Sequence, residues 1–550
     1  MYRKIVGIFV CMLLIATAVL PAVGIMNEKK TINNESMALL NPTVEWLKTY
    51  PGDGFDQFRS VKQTPDGGYI AYGEYSESEM TYARVLKVDA DGEEEWTVIN
   101  HDINGSGYDQ QEVMNTIILT SDGGYLAGGS SMYHYVGDGF DFWDTTGFLW
   151  KLDSSGNTQW FSQQLYSVEE ITRVVPACTI ELEDGYINAG WAIMITDINS
   201  GEYVLETALF KTDLSGNLEW YKTYNAGGNI NNYGVSLSCT TDGGYFISGA
   251  SGLNLGSVDR IFVVKTDENG NKQWDNIFDG PAFDTCTIRG CCQADDGGYM
   301  IAGTTSSYGA GAWDIWVIKI DSSGNMEWDK TLGGTKQDHS WSMIQTDDGR
   351  FIINIVYNYG YFAFTRDDIL LVNIDQDGKV YWKALIEEDG RQIPIDVDLT
   401  DDGGFIIAGR TGDGGSVNTD SFMIKLSSFD NNRPDKPEID GPDKGKPDTE
   451  YTFTATGTDP DGDTLKYMWD WGDGNFSEWL DTNEATYTWT TEDKFDIKVM
   501  TMDENGGESD WSDPLSFSTP KNKQYINMPF LKYLEQHPYL FPILRQLLGL

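Results

Sequence analysis

Histidine and cysteine are scarce in this chain of 550 residues, which has four of the first and six of the second. His101, His134, His339 and His537 stand far apart, so their spacing encodes no histidine metal centre. Basic residues are also few, 38 Lys+Arg against 85 Asp+Glu, for a formal net charge of −47. Nucleic-acid binding draws on clustered Lys and Arg, and an anionic membrane surface repels acid, so both partner classes are excluded. No Ser/His/Asp arrangement and no Gly-rich phosphate loop is present. Only the N-terminus has a long, pure apolar run. Hydrophobic residues still make up 40% of the chain and aromatics 13%, enough for a sizeable core and against global disorder. The length allows two or more domains of about 100–200 residues.

Residues 1–24 read as a secretory signal. Arg3 and Lys4 form a short positive start, Ile5 to Leu20 is almost wholly apolar, and Pro21-Ala22-Val23-Gly24 supplies small residues for cleavage. The apolar run is also about long enough to serve as a retained anchor. Residues 25–43 form an N-terminal linker. Cys178, Cys239, Cys286, Cys291 and Cys292 follow the signal, an odd number at no metal-binding spacing, mostly inside apolar strand-like runs.

Acid and glycine (60 residues) are abundant, and much of both lies in a repeat. An Asp-Gly turn before an aromatic residue recurs at Asp66, Asp122, Asp184, Asp242, Asp296, Asp348 and Asp402, with intervals of 56, 62, 58, 54, 52 and 54 residues. A second mark, Lys-x-Asp-x-x-Gly-x-x-x-Trp, follows the turn, as in Lys319/Asp321/Gly324/Trp328. In the sixth repeat Asn373 replaces the lysine. The fifth repeat resolves into strands at 287–294, 299–304, 313–321 and 326–332, joined by tight turns whose glycines accept positive φ.

A four-stranded unit of about 50 residues, repeated, is the pattern of a β-propeller blade. The seventh repeat lacks its last strand, and 44–50, carrying Trp46, precedes the first turn. That strand is expected to complete the last blade, giving a seven-bladed β-propeller over 44–428. The motif resembles tryptophan-docked propellers, among them relatives of pyrroloquinoline quinone enzymes, some of which carry a vicinal disulfide beside the cofactor. Cys291-Cys292 is an adjacent pair of that kind. The Asp-to-Gly spacing is one residue shorter than in those relatives, however, and there are seven repeats rather than eight. Two strand residues facing opposite sides of a sheet give the simpler reading. The sialidase box places its Trp five residues after the Asp, against seven here, and arginine is too scarce for a site that clamps a sugar carboxylate.

A polar linker at 429–436 precedes a second domain at 437–520. Asp459-Pro460-Asp461-Gly462-Asp463, Tyr467-Met468-Trp469-Asp470-Trp471-Gly472-Asp473-Gly474 and 503–512 resemble the PKD family, an immunoglobulin-like β-sandwich of cell surfaces. The resemblance implies adhesion, spacing, or carbohydrate and protein contact, without catalysis. Tyr467, Trp469 and Trp471 alternate onto one strand face and should fill the core between sheets. Asp459, Asp461 and Asp463 offer clustered oxygens for calcium, the one cofactor entertained, with a plain hairpin turn as the alternative. The apolar tail at 521–550 is interrupted by Pro538 and Pro542, which argues against a membrane span; docking to another surface component and packing as a terminal helix both remain open.

The expected architecture is therefore all-β, a seven-bladed β-propeller followed by an immunoglobulin-like β-sandwich. The expected function is non-enzymatic binding or adhesion, secreted or at the cell surface, toward an extracellular protein or glycan. Acids and aromatics entering the first strand of successive repeats, Asp56, Asp109, Asp284, Asp338 and Trp341, form a candidate binding face. The rival expectation is a propeller enzyme, either a quinone-dependent oxidoreductase or a hydrolase working through paired carboxylates.

Overall fold

The computed structural model describes residues 42–519 except 78–79, 101–109, 138–139, 164–165, 168–171, 198–201, 227–230, 253–259, 360–366, 389, 413–418 and 430, together with 536, 537 and 539. The signal, most of the N-terminal linker, Asp109 and nearly all of the tail lie outside the described residues. Among the described residues every extended element is a strand, and no helix is long and apolar enough to cross a membrane. Two compact units are present. Of the described residues, the first contains those within 42–378 and 383–429, and the second those within 379–382 and 431–519.

The repeats form seven antiparallel sheets, six with four strands and one with a fifth, two-residue strand. In the fifth sheet Asp284–Gln293, Tyr299–Thr305, Asp314–Ile320 and Met326–Leu332 lie in chain order. The seventh sheet is built from both ends of the repeat region. Val44–Tyr50 pairs antiparallel with Asp420–Leu426, beyond which lie Phe405–Gly412 and Arg391–Leu399. Hydrogen bonding closes none of these sheets on itself, so each must bury its faces against a neighbour. The first strand of each packs on the sheet before it, and Gln57–Gln63 of the first sheet packs on Phe405–Gly412 and Arg391–Leu399 of the seventh.

The repeated motif has a mechanical reading. The third-strand lysine, buried except at the half-buried Lys211, reaches the Asp-Gly turn and, as at Lys319, bridges it to the fourth strand. Lys319 is 1% exposed and reaches Asp296 at 2.7 Å and Glu327 at 2.8 Å. Lys87, Lys151, Lys211, Lys265 and Lys425 make the equivalent pair with their own turn aspartates. The methylene stem packs inside while the ammonium meets two carboxylates near water, so desolvation is partly offset. In the sixth sheet, where Asn373 stands, Asp348 pairs with Arg350 instead.

The tryptophan serves the next sheet. Trp274 of the fourth sheet lies against Gly324 of the fifth, whose φ of +85° and ring contact at 2.8 Å from any added Cβ explain the glycine. Trp46, Trp96, Trp160, Trp220 and Trp328 meet Gly92, Gly156, Gly216, Gly270 and Gly378 in the same way. Each contact runs from one sheet to its successor, beginning with the seventh on the first.

The second unit contains two three-stranded sheets. Glu438–Asp440, Glu450–Thr456 and Glu484–Thr488 form one; Lys466–Asp470, Lys494–Met502 and Leu515–Ser518 form the other. Tyr467, Trp469 and Trp471 enter the core with Phe453, Trp489, Phe495 and Phe517, which meets the expectation from their alternation. Trp469 and Trp471 stack at 5.6 Å, and Trp471 stacks on Tyr487 at 4.5 Å.

Candidate functional site

Three of the acids expected at the binding face are buried, and Asp109 lies outside the described residues. Asp56, Asp284 and Asp338 are each 0% exposed, so none presents a carboxylate to a partner. Asp284 lies at the start of a first strand, where Oδ2 accepts the Gly280 N–H at 2.7 Å and the Ser307 hydroxyl at 2.8 Å. Its Oδ1 accepts the Thr305 hydroxyl at 2.5 Å. Asp338 accepts the Gly334 N–H at 2.7 Å, and Asp56 accepts the Ser76 N–H at 2.9 Å. A buried carboxylate is tolerated when it accepts hydrogen bonds, and here each acid takes a backbone N–H, with two hydroxyls added at Asp284. The acids therefore order the chain where one sheet passes to the next. Trp341 is half-buried and packs with Val356, Ile393 and Ile395, between the sixth and seventh sheets. The spacing Gly-x-x-x-Asp, present at Gly280/Asp284 and Gly334/Asp338, was the available signal for this role.

One acid escaped sequence reasoning. Asp314 begins the third strand of the fifth sheet, is 1% exposed, and accepts the Gly311 N–H at 2.9 Å. Desolvation, with the nearby Asp338 charge adding to it, pushes its carboxyl up to about 7.

Cys291 and Cys292 are successive strand residues opposite Ile301 and Met300, and all five described cysteines are free thiols.

The second unit brings acids together differently. Asp459, Asp461 and Asp463 lie on one turn and each can place a carboxylate oxygen within 4.8 Å of the others. Gly462, at φ +86°, permits the tight reversal. Asp459 Oδ1 accepts the N–H groups of Asp461 at 2.8 Å and Asp463 at 3.1 Å, which aims Oδ2 away from the turn. That Oδ2 is buried and accepts no hydrogen bond. Asp503, 0% exposed, closes in from the end of Lys494–Met502, which pairs with the strand that follows the acid turn, and is held by the Asn431 amide at 2.7 Å. The Asn505 amide then bonds Asn431 Oδ1 at 2.8 Å and Asp463 Oδ2 at 2.5 Å.

The electrostatics show strain of a specific kind. Desolvation raises the Asp503 carboxyl to about 6, with the Asp459 charge adding to it. Asp463 is raised by desolvation and then by Asp459, Glu504 and Asp461. Asp461 is lowered, chiefly by the Asn432 side chain and backbone donors. An all-oxygen set with one buried, unbonded oxygen and mutually repelling carboxylates fits a hard cation such as calcium. Asp503, Asn431 and Asn505 were missed as members because they stand 28 or more residues from the turn.

Residues 431–517 match the PKD domain. The PKD domain of an M14-like peptidase from Thermoplasmatales archaeon SCGC AB-540-F20 is 31% identical, with 96% of that chain and 16% of this one covered, at a TM-score of 0.15. Through this segment the chain belongs to the PKD family, which accounts for the immunoglobulin-like sandwich. Puromycin hydrolase shares 11% identity over 72% of this chain, at a TM-score of 0.42, and this chain spans 58% of it. The extracellular domain of a proposed one-component system from B. thetaiotaomicron shares 10% identity, with 87% and 86% of the two chains covered, at a TM-score of 0.15. Among curated proteins none matches the chain.

Proposed function

We propose that this chain is an exported, non-enzymatic binding protein whose seven sheets are the blades of a closed β-propeller, with the PKD domain as spacer or second contact module. The carrying observation is the packing of the first sheet on the seventh, which itself takes its outer strand from the N-terminal side of the repeats. Side chains bind the seam: Asp396 accepts the Val61 N–H at 2.9 Å, and Lys62 pairs with Asp398 at 2.7 Å. A ring closed in this way leaves its inter-sheet loops as the contact surface, held on a rigid frame. The partner is an extracellular protein or glycan. Arrays of glycans and surface proteins test the reading; retained specific binding without turnover supports it, and catalytic turnover of a captured compound overturns it.

Calcium belongs to the PKD module in this reading, held by Asp459, Asp461 and Asp463 with Asp503 behind them. Its role is to tie the acid turn to the neighbouring turn that carries Asp503. Calcium titration by calorimetry should show one site lost in D459N and D463N, with the melting temperature of the PKD module falling on chelation. No heat and no melting shift would overturn the assignment.

A further inference from the structure

Each of the seven first strands carries a β-bulge near its middle, and in six of them that bulge skips a single residue: Arg59, Asn115, Ala177, Val235, Trp341 and Ile395, the sixth sheet's strand having a further shift between Gln337 and His339. The fifth differs. Its register jumps from Cys286 to Cys291, leaving Thr287–Gly290 as a four-residue loop out of the ladder. Arg289 stands in this loop at φ +55°, a left-handed conformation that a non-glycine residue adopts at a cost. Such strain persists where the surroundings hold it.

The surroundings come from distant sheets. The Arg289 guanidinium ion-pairs with Asp396 of the seventh sheet and donates to the Asn115 carbonyl of the second at 3.1 Å. Asp396 is 1% exposed, and its Oδ2 also holds the Val61 N–H of the first sheet. Lys62 and Asp398 lie beside this pair, so two cations and two anions meet with no net charge. In a sequential ring the fifth sheet touches the fourth and sixth; reaching the second and seventh requires crossing the middle.

We propose that Thr287–Gly290 is an axial strap, in which Arg289 spans the centre of the ring and holds the seam between the first and seventh sheets shut. This rests on the ring reading above. The neighbour-to-neighbour links at the inner strands, such as Cys291 N–H to Ser236 at 3.1 Å and Ile117 N–H to Ser60 at 3.1 Å, join only adjacent sheets. Arg289 is a tie of another order. It closes the axis to solutes, so that a partner engages the ring through its face loops.

Amide exchange on the full chain tests the strap at Val61, whose N–H depends on Asp396. R289M leaves Asp396 as a buried charge without its partner, and Val61 exchange should accelerate about tenfold or more. The Gly297 and Gly298 turn amides of the fifth sheet should stay at wild-type rates. R289K keeps the charge but not the fork that spans two acceptors, and should fall between the two; it also serves if R289M does not fold. Val61 exchange within about twofold of wild type in both variants overturns the strap. An unprotected Val61 in the wild-type protein instead overturns the ring itself, a result distinguishable from the first.

Discussion

Removing the carboxylate of Asp284 separates an ordering role from a ligand-binding one. In D284A three donors, the Gly280 N–H and the Thr305 and Ser307 hydroxyls, lose their acceptor in a site with 0% exposure of the aspartate. A stranded buried donor costs about 1–3 kcal/mol. The two hydroxyls can rotate toward other acceptors and the backbone N–H cannot, so the sum should settle near 3–4 kcal/mol. D284N keeps one oxygen for Gly280, while its amide can donate to the rotated hydroxyls, and should cost about 1 kcal/mol. Urea unfolding read by tryptophan fluorescence measures both, with comparison of midpoints valid while the slope is unchanged. Exchange of the Gly280 amide gives a local readout. A D284A protein within about 1 kcal/mol of wild type, with Gly280 still protected, refutes the ordering role.

Asp314 supplies a pH signature: burial pushes its carboxyl up to about 7, well above the ordinary aspartate range, so the folded state favours the protonated form. The resulting stability is fully present below about pH 4 and is lost as pH rises through about 7, and D314N should flatten the melting-temperature profile across that window. Two glycines of nearly equal φ, +84° at Gly297 and +85° at Gly324, should respond unequally to alanine. G297A meets nothing within 4 Å and costs about 1–2 kcal/mol of backbone strain, whereas G324A adds displacement of the Trp274 ring and a red-shifted fluorescence. Equal losses at both positions would dissolve the docking argument. Of the five described cysteines only Cys239 is exposed, so a native thiol assay should find one fast-reacting group from this set. Burial pushes Cys286 up to about 12 and Cys291 up to about 11, and both should react only after unfolding.

The strands were readable because their determinants are local. In the fifth repeat, 326–332 coincides with the observed strand, and 299–304 and 313–321 differ from it by a residue at their ends. The first strand, expected at 287–294, runs from Asp284 to Gln293 and contains the out-of-register loop. An insertion inside an apolar run leaves composition and length nearly unchanged, so periodicity does not reveal it. The acid turn of the PKD domain was visible for the same local reason as the Asp-Gly turns.

Turn chemistry, the lysine and tryptophan marks and the strand pattern all depend on neighbours within about ten residues, and these the amino-acid order by itself determined. The sign of burial at each acid was decided by tertiary structure. With 85 Asp+Glu in the chain, no local feature separates a solvated carboxylate from Asp284, whose partner Gly280 lies in the preceding loop and whose partner Thr305 ends the next strand. The same holds for Asp503 beside Asn431, and for Arg289 beside Asp396, 107 positions away in the chain. Desolvation and donor geometry are set by what the fold places around a side chain, and that is why acidity alone pointed to no site.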